Sequence, residues 1–371
     1  MKVLHLCAGN LYGGVETLLV TLARCRDLCP DMRPHFGLCF AGRLRDELTA
    51  AGVPVHDLGA VRVSRPWTVI RARWRLKRLL KSERFDAAVA HMSWPHALFA
   101  PVVRVARVRL AHAVHGEVDR RHWLNRWAAR TRPDVALANS AFIAANAAGW
   151  FPGVPTELCH YPVCPTDLGD GEAVRRAVRA DLGTRPEVVV ILQASRLEEW
   201  KGQRVHVEAL GRLRDTPNWE AWFAGGAQRD GEAEFLAELK ARAVELGIAD
   251  RIQFLGQRSD VPRLMAAADI LCQPNSGPEP FGIVFVEALY AGLPVITSNF
   301  GGGAEVIDDA CGILTPPGDD AAVAAALARL IRDPVRRAAS GSRGPDRARQ
   351  LCDPARQMER LRMLLLDPTP C

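Results

Sequence analysis

Two carboxylates flank the start of an apolar segment in the second half of the chain. Glu279 follows a turn-rich loop of Pro, Asn, Ser and Gly, and Glu287 lies within a predicted helix over 281–291. Glu287 is about two turns into that helix, on the order of 9 Å along its axis from Glu279. Carboxylates this far apart do not form one acid–base pair. They are spaced to bind hydroxyl groups on opposite sides of a central phosphate, as in a sugar nucleotide.

The start of the same helix has the features of an anion site. The backbone N–H groups of Phe281, Gly282 and Ile283 and the positive end of the helix dipole are expected to face out of the loop. Gly282 has no Cβ, so a ligand can approach the backbone closely. A buried helix with an acidic cap explains the same residues, and the spacing alone leaves both interpretations open.

Two cations follow a predicted strand over 188–193. Arg196 and Lys201 lie in the segment SRLEEWKG, which is expected to face the same end of the sheet as Phe281. A guanidinium fork and an ammonium group together would neutralise a diphosphate. A solvated charged loop is the alternative, which the neighbouring Glu198 and Glu199 make reasonable.

Length and composition bound the class of protein. The 371 residues predict two domains, and the net charge of +6 is modest. The sequence contains no run of 18 or more apolar residues, so no transmembrane helix is predicted. The apolar N-terminus is expected to be a strand rather than a signal peptide. The ten cysteines lack the C-x-x-C pairs of a zinc site, so reduced, buried thiols in a cytoplasmic protein are expected. The sequence contains no D-x-D carboxylate pair of the kind that binds a metal ion, so no metal is expected.

The first half of the chain alternates predicted strands and helices, which is typical of a doubly wound parallel sheet. A strand over 2–7 leads through a loop containing Gly13 and Gly14 into a helix over 17–25, a geometry that suits a phosphate. Ligands of such sheets bind at the carboxyl ends of the strands, where His91, His115 and Asn139 are expected. A Pro- and Gly-rich linker follows over 152–170.

The predicted helix over 67–82 is basic and amphipathic. Its apolar residues are Trp67, Ile70, Trp74, Leu76, Leu79 and Leu80, and its basic residues are Arg71, Arg73, Arg75, Lys77, Arg78 and Lys81. Such a helix can lie on an anionic membrane surface. The alternative, which we favour at this stage, is an outer helix that buries its apolar side and solvates its charges. No motif for nucleic-acid recognition is present.

The ordered set of these landmarks resembles the retaining glycosyltransferases of family 4, which have the GT-B fold. Glu279 and Glu287 match the E-x7-E signature of that family, and the resemblance covers nearly the whole chain. It implies two Rossmann-like α/β domains of doubly wound parallel sheet facing a cleft. The expected boundaries are 1–165 for the acceptor-side domain and 166–351 for the nucleotide-sugar domain, with a last helix, about 352–371, returning to the first.

The resemblance also implies roles for individual residues. Gly13 and Gly14 resemble a loop bordering the donor and acceptor, although Thr17 stands where an Arg often follows the Glu of that loop. His115 would contact the transferred sugar. The other expected donor-binding residues are Arg196 and Lys201 on the diphosphate, the backbone of Arg258 at the base, Glu279 with Phe281, Gly282 and Ile283 at the sugar, and Glu287 at the ribose. Of these residues, His115, Arg196, Lys201 and Glu279 are the expected catalytic group.

The implied reaction moves a hexose-type sugar from a UDP- or GDP-linked donor to a saccharide, a lipid-linked acceptor or a small molecule, as in polysaccharide or glycolipid synthesis. Neither a metal nor a separate cofactor is expected. The expected location is cytoplasmic, with peripheral contact at an anionic inner membrane face as a variant, and no nucleic-acid partner. Two alternatives stay open, an inactive nucleotide-sugar-binding protein and a sugar-nucleotide epimerase of the same fold.

Overall fold

The computed structural model describes residues 1–10, 13–227 and 231–366. The chain forms two compact units. Unit 1 contains Met1–Cys164 and the chain from Cys352 onward, and unit 2 contains Pro165–Leu351. The expected final helix over about 352–371 ends at Leu366, and residues 367–371 lie outside the described part.

Unit 1 is built on a parallel sheet, with seven strands in the described residues. They are β1 Lys2–Cys7, β2 Arg33–Leu38, β3 Val55–Asp57, β4 Ala87–His91, β5 Arg109–Val114, β6 Val135–Ala138 and β7 Thr156–Leu158. The order across the sheet is β3-β2-β1-β4-β5-β6-β7. The strands are rich in buried apolar residues, and they also contain buried histidines, among them His5, His91 and His112.

The helices of unit 1 follow the strands in sequence. They are α1 Gly14–Arg24, α2 Arg43–Ala50, α3 Pro66–Glu83, α4 Ser93–Val105, α5 Trp123–Ala128, α6 Ala141–Ala147 and, from the far end of the chain, the C-terminal helix Pro354–Leu366. Leu4 and Leu6 of β1 pack with α3 and α4 in one core cluster. His5, between them in sequence, lies on the opposite face beside Leu18 of α1 and Leu361 of the C-terminal helix.

Unit 2 has a second parallel sheet, which contains six strands among the described residues. They are β8 Val189–Ala194, β9 Trp219–Ala224, β10 Ile252–Gly256, β11 Ile270–Gln273, β12 Val295–Ser298 and β13 Gly312–Thr315, in the order β10-β9-β8-β11-β12-β13. The helices are α7 Gly171–Asp181, α8 Gln203–Gly211, α9 Glu232–Glu245, α10 Val261–Ala267, α11 Ile283–Tyr290, α12 Gly303–Val306, α13 Asp320–Arg332 and α14 Pro334–Cys352. The C-terminal helix of unit 1 is therefore α15. The expected pair of doubly wound parallel sheets is confirmed.

Three local expectations differ from the structure. Helix α1 begins at Gly14 rather than at residue 17, because the Glu16 carboxylate accepts a hydrogen bond from the Gly13 N–H and closes the first turn early (3.0 Å). Helix α11 begins at Ile283 rather than at Phe281. The expectation that the cysteines are all reduced is wrong for Cys25 and Cys164, which form a disulfide within unit 1.

Candidate functional site

Lys201 and Glu279 form a buried ion pair at the carboxyl end of the unit 2 sheet. The Lys201 Nζ lies 2.6 Å from the Glu279 Oε2, and only 13% and 9% of the two side chains are exposed. The same oxygen accepts a hydrogen bond from the Asn275 Nδ2 at 3.0 Å, and Asn275 in turn accepts one from the Gln273 Nε2. The pair is therefore surrounded by polar groups that orient it.

Backbone contacts attach the Lys201 loop to the Glu279 loop. The N–H groups of Ser276 and Gly277 donate to the Trp200 carbonyl at 2.9 and 3.2 Å. Gly202 has a left-handed φ of +76°, and a Cβ there would collide with the Pro274 carbonyl. A glycine is required at this close approach, which brings the loop after β8 against the loop after β11.

Arg196 is held in the same loop but has a different partner. Its Nη1 lies 3.0 Å from the Glu198 Oε1, and 38% of its side chain is exposed. Gln203 donates to the Arg196 carbonyl at 2.7 Å and so fixes the backbone. The structure thus joins Lys201 directly to Glu279, whereas the Arg196 guanidinium is paired within its own loop.

The start of α11 differs from the expected geometry. Gly282 is the N-cap, with a left-handed φ of +90°, and the first helical residue is Ile283. Phe281 is 3% exposed and precedes the cap, so the expectation that its N–H belongs to the first helical turn is wrong. The amides of Ile283 and Val284 are the first-turn donors that the helix itself leaves unpaired. The first turn of the helix therefore begins two residues later than the sequence predicts.

Glu287 lies in the second turn of α11. Burial raises the pKa of its carboxyl to about 7. Within the described parts of the chain, no side chain forms a hydrogen bond or ion pair with this carboxylate. The two carboxylates of the predicted motif are therefore in different states, since Glu279 is paired with a cation and Glu287 has no side-chain partner among the described residues.

Arg258 follows β10, and its side chain is paired with Asp260. Its Nε and Nη2 donate to the two carboxylate oxygens of Asp260 at 2.8 and 2.7 Å. These bonds raise the pKa of Arg258 and lower that of Asp260. A role of the Arg258 backbone at the base stays a prediction.

The predicted residues of unit 1 lie at the carboxyl end of its sheet. Gly13 and Gly14 form the start of α1, whereas Leu11 and Tyr12 of the same loop lie outside the described residues. His115 follows β5 and is 8% exposed. Its Nε2 contacts the His91 Nδ1 at 2.9 Å, and its Nδ1 contacts the Tyr161 hydroxyl. Both ring nitrogens are therefore engaged inside unit 1.

The sequence did not single out several residues that organise these sites. His5 and Tyr161 extend the contacts of His115, and Gln273 and Asn275 orient Glu279. A weak signal for His5 existed, since it is the only polar residue inside the strand KVLHLC after Lys2. In the described residues, no group of three or more His, Cys, Asp or Glu side chains is arranged to hold a metal ion. No helix there has the length and apolar character needed to span a membrane.

Models of two protein families match the two halves of the chain. Residues 2–157 match a glycosyl transferase 4-like domain, and residues 174–347 match the glycosyl transferases of group 1. A GDP-mannose-dependent alpha-(1-6)-phosphatidylinositol monomannoside mannosyltransferase of Mycolicibacterium smegmatis is 31% identical over 293 residues, which is 73% of each chain. A phosphatidyl-myo-inositol mannosyltransferase of Mycobacterium leprae is 44% identical over 103 residues, and the match spans 27% of this chain and 28% of that relative.

Solved structures of similar proteins cover almost the whole chain. HepE of Anabaena, solved in complex with UDP and glucose, is 26% identical, with a TM-score of 0.84 over 98% of this chain and 99% of HepE. A glycosyltransferase from Rickettsia africae, at 18% identity, shares the fold with a TM-score of 0.83 over 99% of each chain. Together, the matching models and the Mycolicibacterium relative show that the chain belongs to glycosyltransferase family 4, and the solved structures show that it has the GT-B fold.

Proposed function

We propose that this protein transfers a hexose-type sugar from a nucleoside-diphosphate donor to a saccharide or lipid-linked acceptor, with retention of the anomeric configuration. The observation that carries the proposal is the buried Lys201–Glu279 pair, fastened beside the start of α11 in unit 2. A buried ammonium group next to unpaired helix amides is a site for a phosphate dianion.

In this proposal each charged group has one part of the donor to bind. Lys201 and the amides of Ile283 and Val284 hold the diphosphate, and Arg196 leaves Glu198 to join them. Glu279 accepts hydrogen bonds from the sugar hydroxyls while Lys201 stays beside it. Glu287 accepts hydrogen bonds from the ribose diol. The cations and amides provide the electrostatic stabilisation of the departing diphosphate, so the proposal needs no metal ion.

The proposed step breaks the bond between the anomeric carbon and the diphosphate oxygen. The acceptor hydroxyl forms the new bond on the same face of the sugar, and its proton passes to the departing diphosphate oxygen. No carboxylate is required as a nucleophile, in agreement with the pairing of Glu279 to a cation and with its hydrogen bond from Asn275. Retention follows because the leaving and entering oxygens occupy the same face.

The relatives support two donor classes. The mycobacterial relative is named as GDP-mannose-dependent, and HepE was solved with UDP-glucose. The name of that mycobacterial enzyme also gives a phosphatidylinositol monomannoside as its acceptor, which supports a lipid-linked acceptor here. We therefore propose UDP- or GDP-linked hexoses as donors.

A donor and acceptor panel tests the proposed function. The protein is incubated with UDP-glucose, UDP-galactose or GDP-mannose, with and without phosphatidylinositol mannosides or simple glycosides, and released UDP or GDP is measured. We expect release that depends on the acceptor, and a product with the donor's anomeric configuration. Binding of donors without any release would instead indicate a sensor, and a modified free sugar formed without acceptor would indicate an epimerase.

Replacing Glu287 with glutamine is expected to stabilise unit 2 and weaken donor binding. The folded carboxyl has a pKa of about 7, against an ordinary value of 4.5, so the folded state binds the proton more tightly. The cost of ionising it in the fold grows as pH rises through that window and reaches about 3 kcal/mol above it. In urea unfolding, Glu287→Gln should therefore have a higher free energy of unfolding than the unchanged protein at pH 8 and nearly the same one at pH 4.5.

The same variant loses the anionic acceptor for the ribose diol, so the donor KM at pH 8 should rise roughly tenfold or more. In the unchanged protein, the donor KM should rise as pH falls below 7, because protonation of Glu287 removes that acceptor. Glu234→Gln, on the exposed side of α9, is the matched control. A donor KM that stays the same in Glu287→Gln would exclude the role of Glu287.

We also propose that unit 1 touches an anionic membrane through the outer face of α3, which we define as Trp67, Ile70 and Trp74 with their basic neighbours. These three side chains are 64%, 68% and 55% exposed. Their spacing of three and four residues places them on one stripe of the helix. Ala72, Leu76 and Leu80 are buried on the other side. The helix thus has two apolar faces, and only one of them packs against the core of unit 1.

Charge complementarity selects the partner of this face. Its exposed basic residues are Arg71, Lys77, Arg78 and Lys81, and the Arg78 guanidinium lies 4.7 Å from the Trp74 ring centroid. Glu83, the helix's only acidic residue, is paired with Lys2. Interfacial Trp side chains flanked by cations are typical of a helix that lies in the headgroup region of anionic lipid.

The triple variant W67S/I70S/W74S is expected to bind phosphatidylglycerol-containing vesicles roughly 100-fold more weakly, because it removes the apolar area that enters the interface. Vesicle cosedimentation measures the effect, with Val244→Ser on α9 as a control for an exposed apolar residue in unit 2. Unchanged binding by the triple variant, or equal binding to neutral phosphatidylcholine vesicles, would rule out this surface.

A further inference from the structure

A row of hydrogen-bonded side chains crosses the sheet of unit 1. The His5 Nδ1 contacts the His91 Nε2 at 3.0 Å, and the His91 Nδ1 contacts the His115 Nε2 at 2.9 Å. The His115 Nδ1 contacts the Tyr161 hydroxyl, which also accepts from the Asn139 Nδ2 at 2.9 Å. We call His5, His91, His115 and Tyr161 the histidine row. Its three rings come from neighbouring strands, β1, β4 and the end of β5.

The row is buried and uncharged. The exposed fractions of the three imidazoles are 0%, 3% and 8%, and burial lowers the pKa of His5 and of His115 to about 3. Burial also lowers the pKa of His91 well below its ordinary value. Each neutral ring has one N–H and one lone pair, so each contact needs a proton on one side only. The tautomers are therefore linked, and all three rings must carry the proton on equivalent nitrogens.

Tyr161 determines the direction in which hydrogen bonds are donated along the row, which we call the sense of the row. A phenol is a stronger acid than a neutral imidazole N–H, and an imidazole lone pair is a better acceptor than a phenol oxygen. The Tyr161 O–H therefore donates to the His115 Nδ1, while its oxygen accepts from Asn139. It follows that His115 donates from Nε2 to His91, and that His91 donates from Nε2 to His5.

The other end of the row lies at a cavity. His5 carries its proton on Nε2, which is buried and has no hydrogen-bond partner in the described residues. His5, His91, His115 and Tyr161 all line a cavity of about 40 Å³, whose remaining walls are mostly apolar. The direction of hydrogen-bond donation set at Tyr161 thus fixes whether the buried His5 Nε2 carries a proton or a lone pair.

We infer that Tyr161 is a positioning residue that fixes the tautomer and the ring orientation of His115 through the histidine row. Because both nitrogens of His115 are used in the row, the residue offers a substrate only its carbon-bound edge and the main chain leading into Gly116. His115 therefore acts by its held position and not as a proton donor or acceptor. The inference rests on the proposed function only for its effect on turnover, since the tautomers belong to the free protein.

Without the Tyr161 hydroxyl, the row loses the group that sets its sense. In Tyr161→Phe, the His115 Nδ1 either keeps a lone pair with no donor or takes the proton and reverses the row. Either choice leaves both the His115 Nδ1 and the Asn139 Nδ2 without the partner that the Tyr161 oxygen provides, and neither is strongly preferred. The three rings should then populate both tautomers, and the His115 ring should gain rotational freedom.

Histidine side-chain 15N NMR of the full chain at neutral pH tests the inference. The unchanged protein should show His5, His91 and His115 as single Nε2–H tautomers, and Tyr161→Phe should show mixed or reversed tautomers at all three. The separate contact between the His35 Nδ1 and the His56 Nε2, at 3.1 Å, is an internal control that should not change. Nδ1–H tautomers in the unchanged row, or unaltered tautomers in Tyr161→Phe, would overturn the inference.

Steady-state kinetics provide a second test of the inference. Tyr161→Phe should lower kcat roughly 10- to 100-fold with little change in the donor KM, because His115 is misplaced while the donor groups of unit 2 are intact. Unchanged kcat together with altered tautomers would contradict the positioning role. If the unchanged protein transfers no sugar, the proposed function fails, and the NMR result still decides the sense of the row.

Discussion

Lys201→Ala is expected to lower kcat/KM for the nucleotide-sugar donor by about 100- to 1000-fold, the loss typical of removing one preorganised charge from a site where an anion develops. The Lys201 ammonium is the most buried cation of the proposed donor site, with its Nζ 2.6 Å from Glu279. Arg196 is more exposed, with 38% of its side chain accessible, so solvent and salt screen its charge more strongly. Steady-state release of UDP or GDP measures the effect.

This substitution also removes the partner of a buried carboxylate, which is expected to cost about 3–5 kcal/mol of stability. The double variant K201A/E279Q separates the two effects, because it leaves no unpaired charge behind. It should regain most of the stability lost in Lys201→Ala and stay inactive. Lys240→Ala, at an exposed position of α9, is the matched control. Near-normal turnover in folded Lys201→Ala would remove Lys201 from the mechanism.

Mild acid is expected to destabilise unit 1 strongly. Burial lowers the pKa of His96 to about 4 and that of His112 well below its ordinary value, as it does for the three rings of the histidine row. These five side chains stay neutral in the fold, whereas in the unfolded chain they bind protons below about pH 6.5. Stability is therefore complete above that pH and is lost as pH falls below it.

At pH 5.5 each such histidine should cost about 1.4 kcal/mol, and the five together about 7 kcal/mol, a large share of the stability of an ordinary domain. Urea unfolding followed by circular dichroism at pH 7.5, 6.5 and 5.5 measures the loss. His96→Gln should lower by one the number of protons that the chain takes up on unfolding in mild acid. His122→Asn, at an exposed position, should leave that number unchanged. An unfolding midpoint that does not move between pH 7.5 and 5.5 would show that these rings titrate freely in the fold.

The sheets were predictable from the sequence because of how parallel strands are buried. A strand covered on both faces appears as an almost continuous apolar run, and Val189–Ala194 and Ile270–Gln273 each contain only one polar residue, a glutamine at or next to the carboxyl end. The polar residues that break such runs mark the carboxyl ends, which is why Lys201, Glu279 and His115 could be assigned to ligand-facing edges. The positions of the strands and of their carboxyl ends can therefore be predicted from short stretches of sequence.

The details of the site depend on contacts between distant segments, which a local pattern does not contain. The left-handed conformation of Gly282 delays the start of α11, although the apolar pattern alone continues back to Phe281. His5 and Tyr161 are 156 positions apart in the sequence and meet only through the sheet order. The exposed position of Trp67 and Trp74 also depended on which side of α3 packs on unit 1.

The most direct test of the central claim is the affinity for the diphosphate group itself. Isothermal titration calorimetry compares uridine, UMP and UDP, and the guanosine series, on the unchanged protein and on K201A/E279Q. We predict that the diphosphate of the preferred base binds at least about 100-fold more tightly than its nucleoside, and that the double variant loses most of this difference. Equal affinities for nucleoside and diphosphate, or a difference that persists in the double variant, would contradict a diphosphate site at Lys201 and the start of α11.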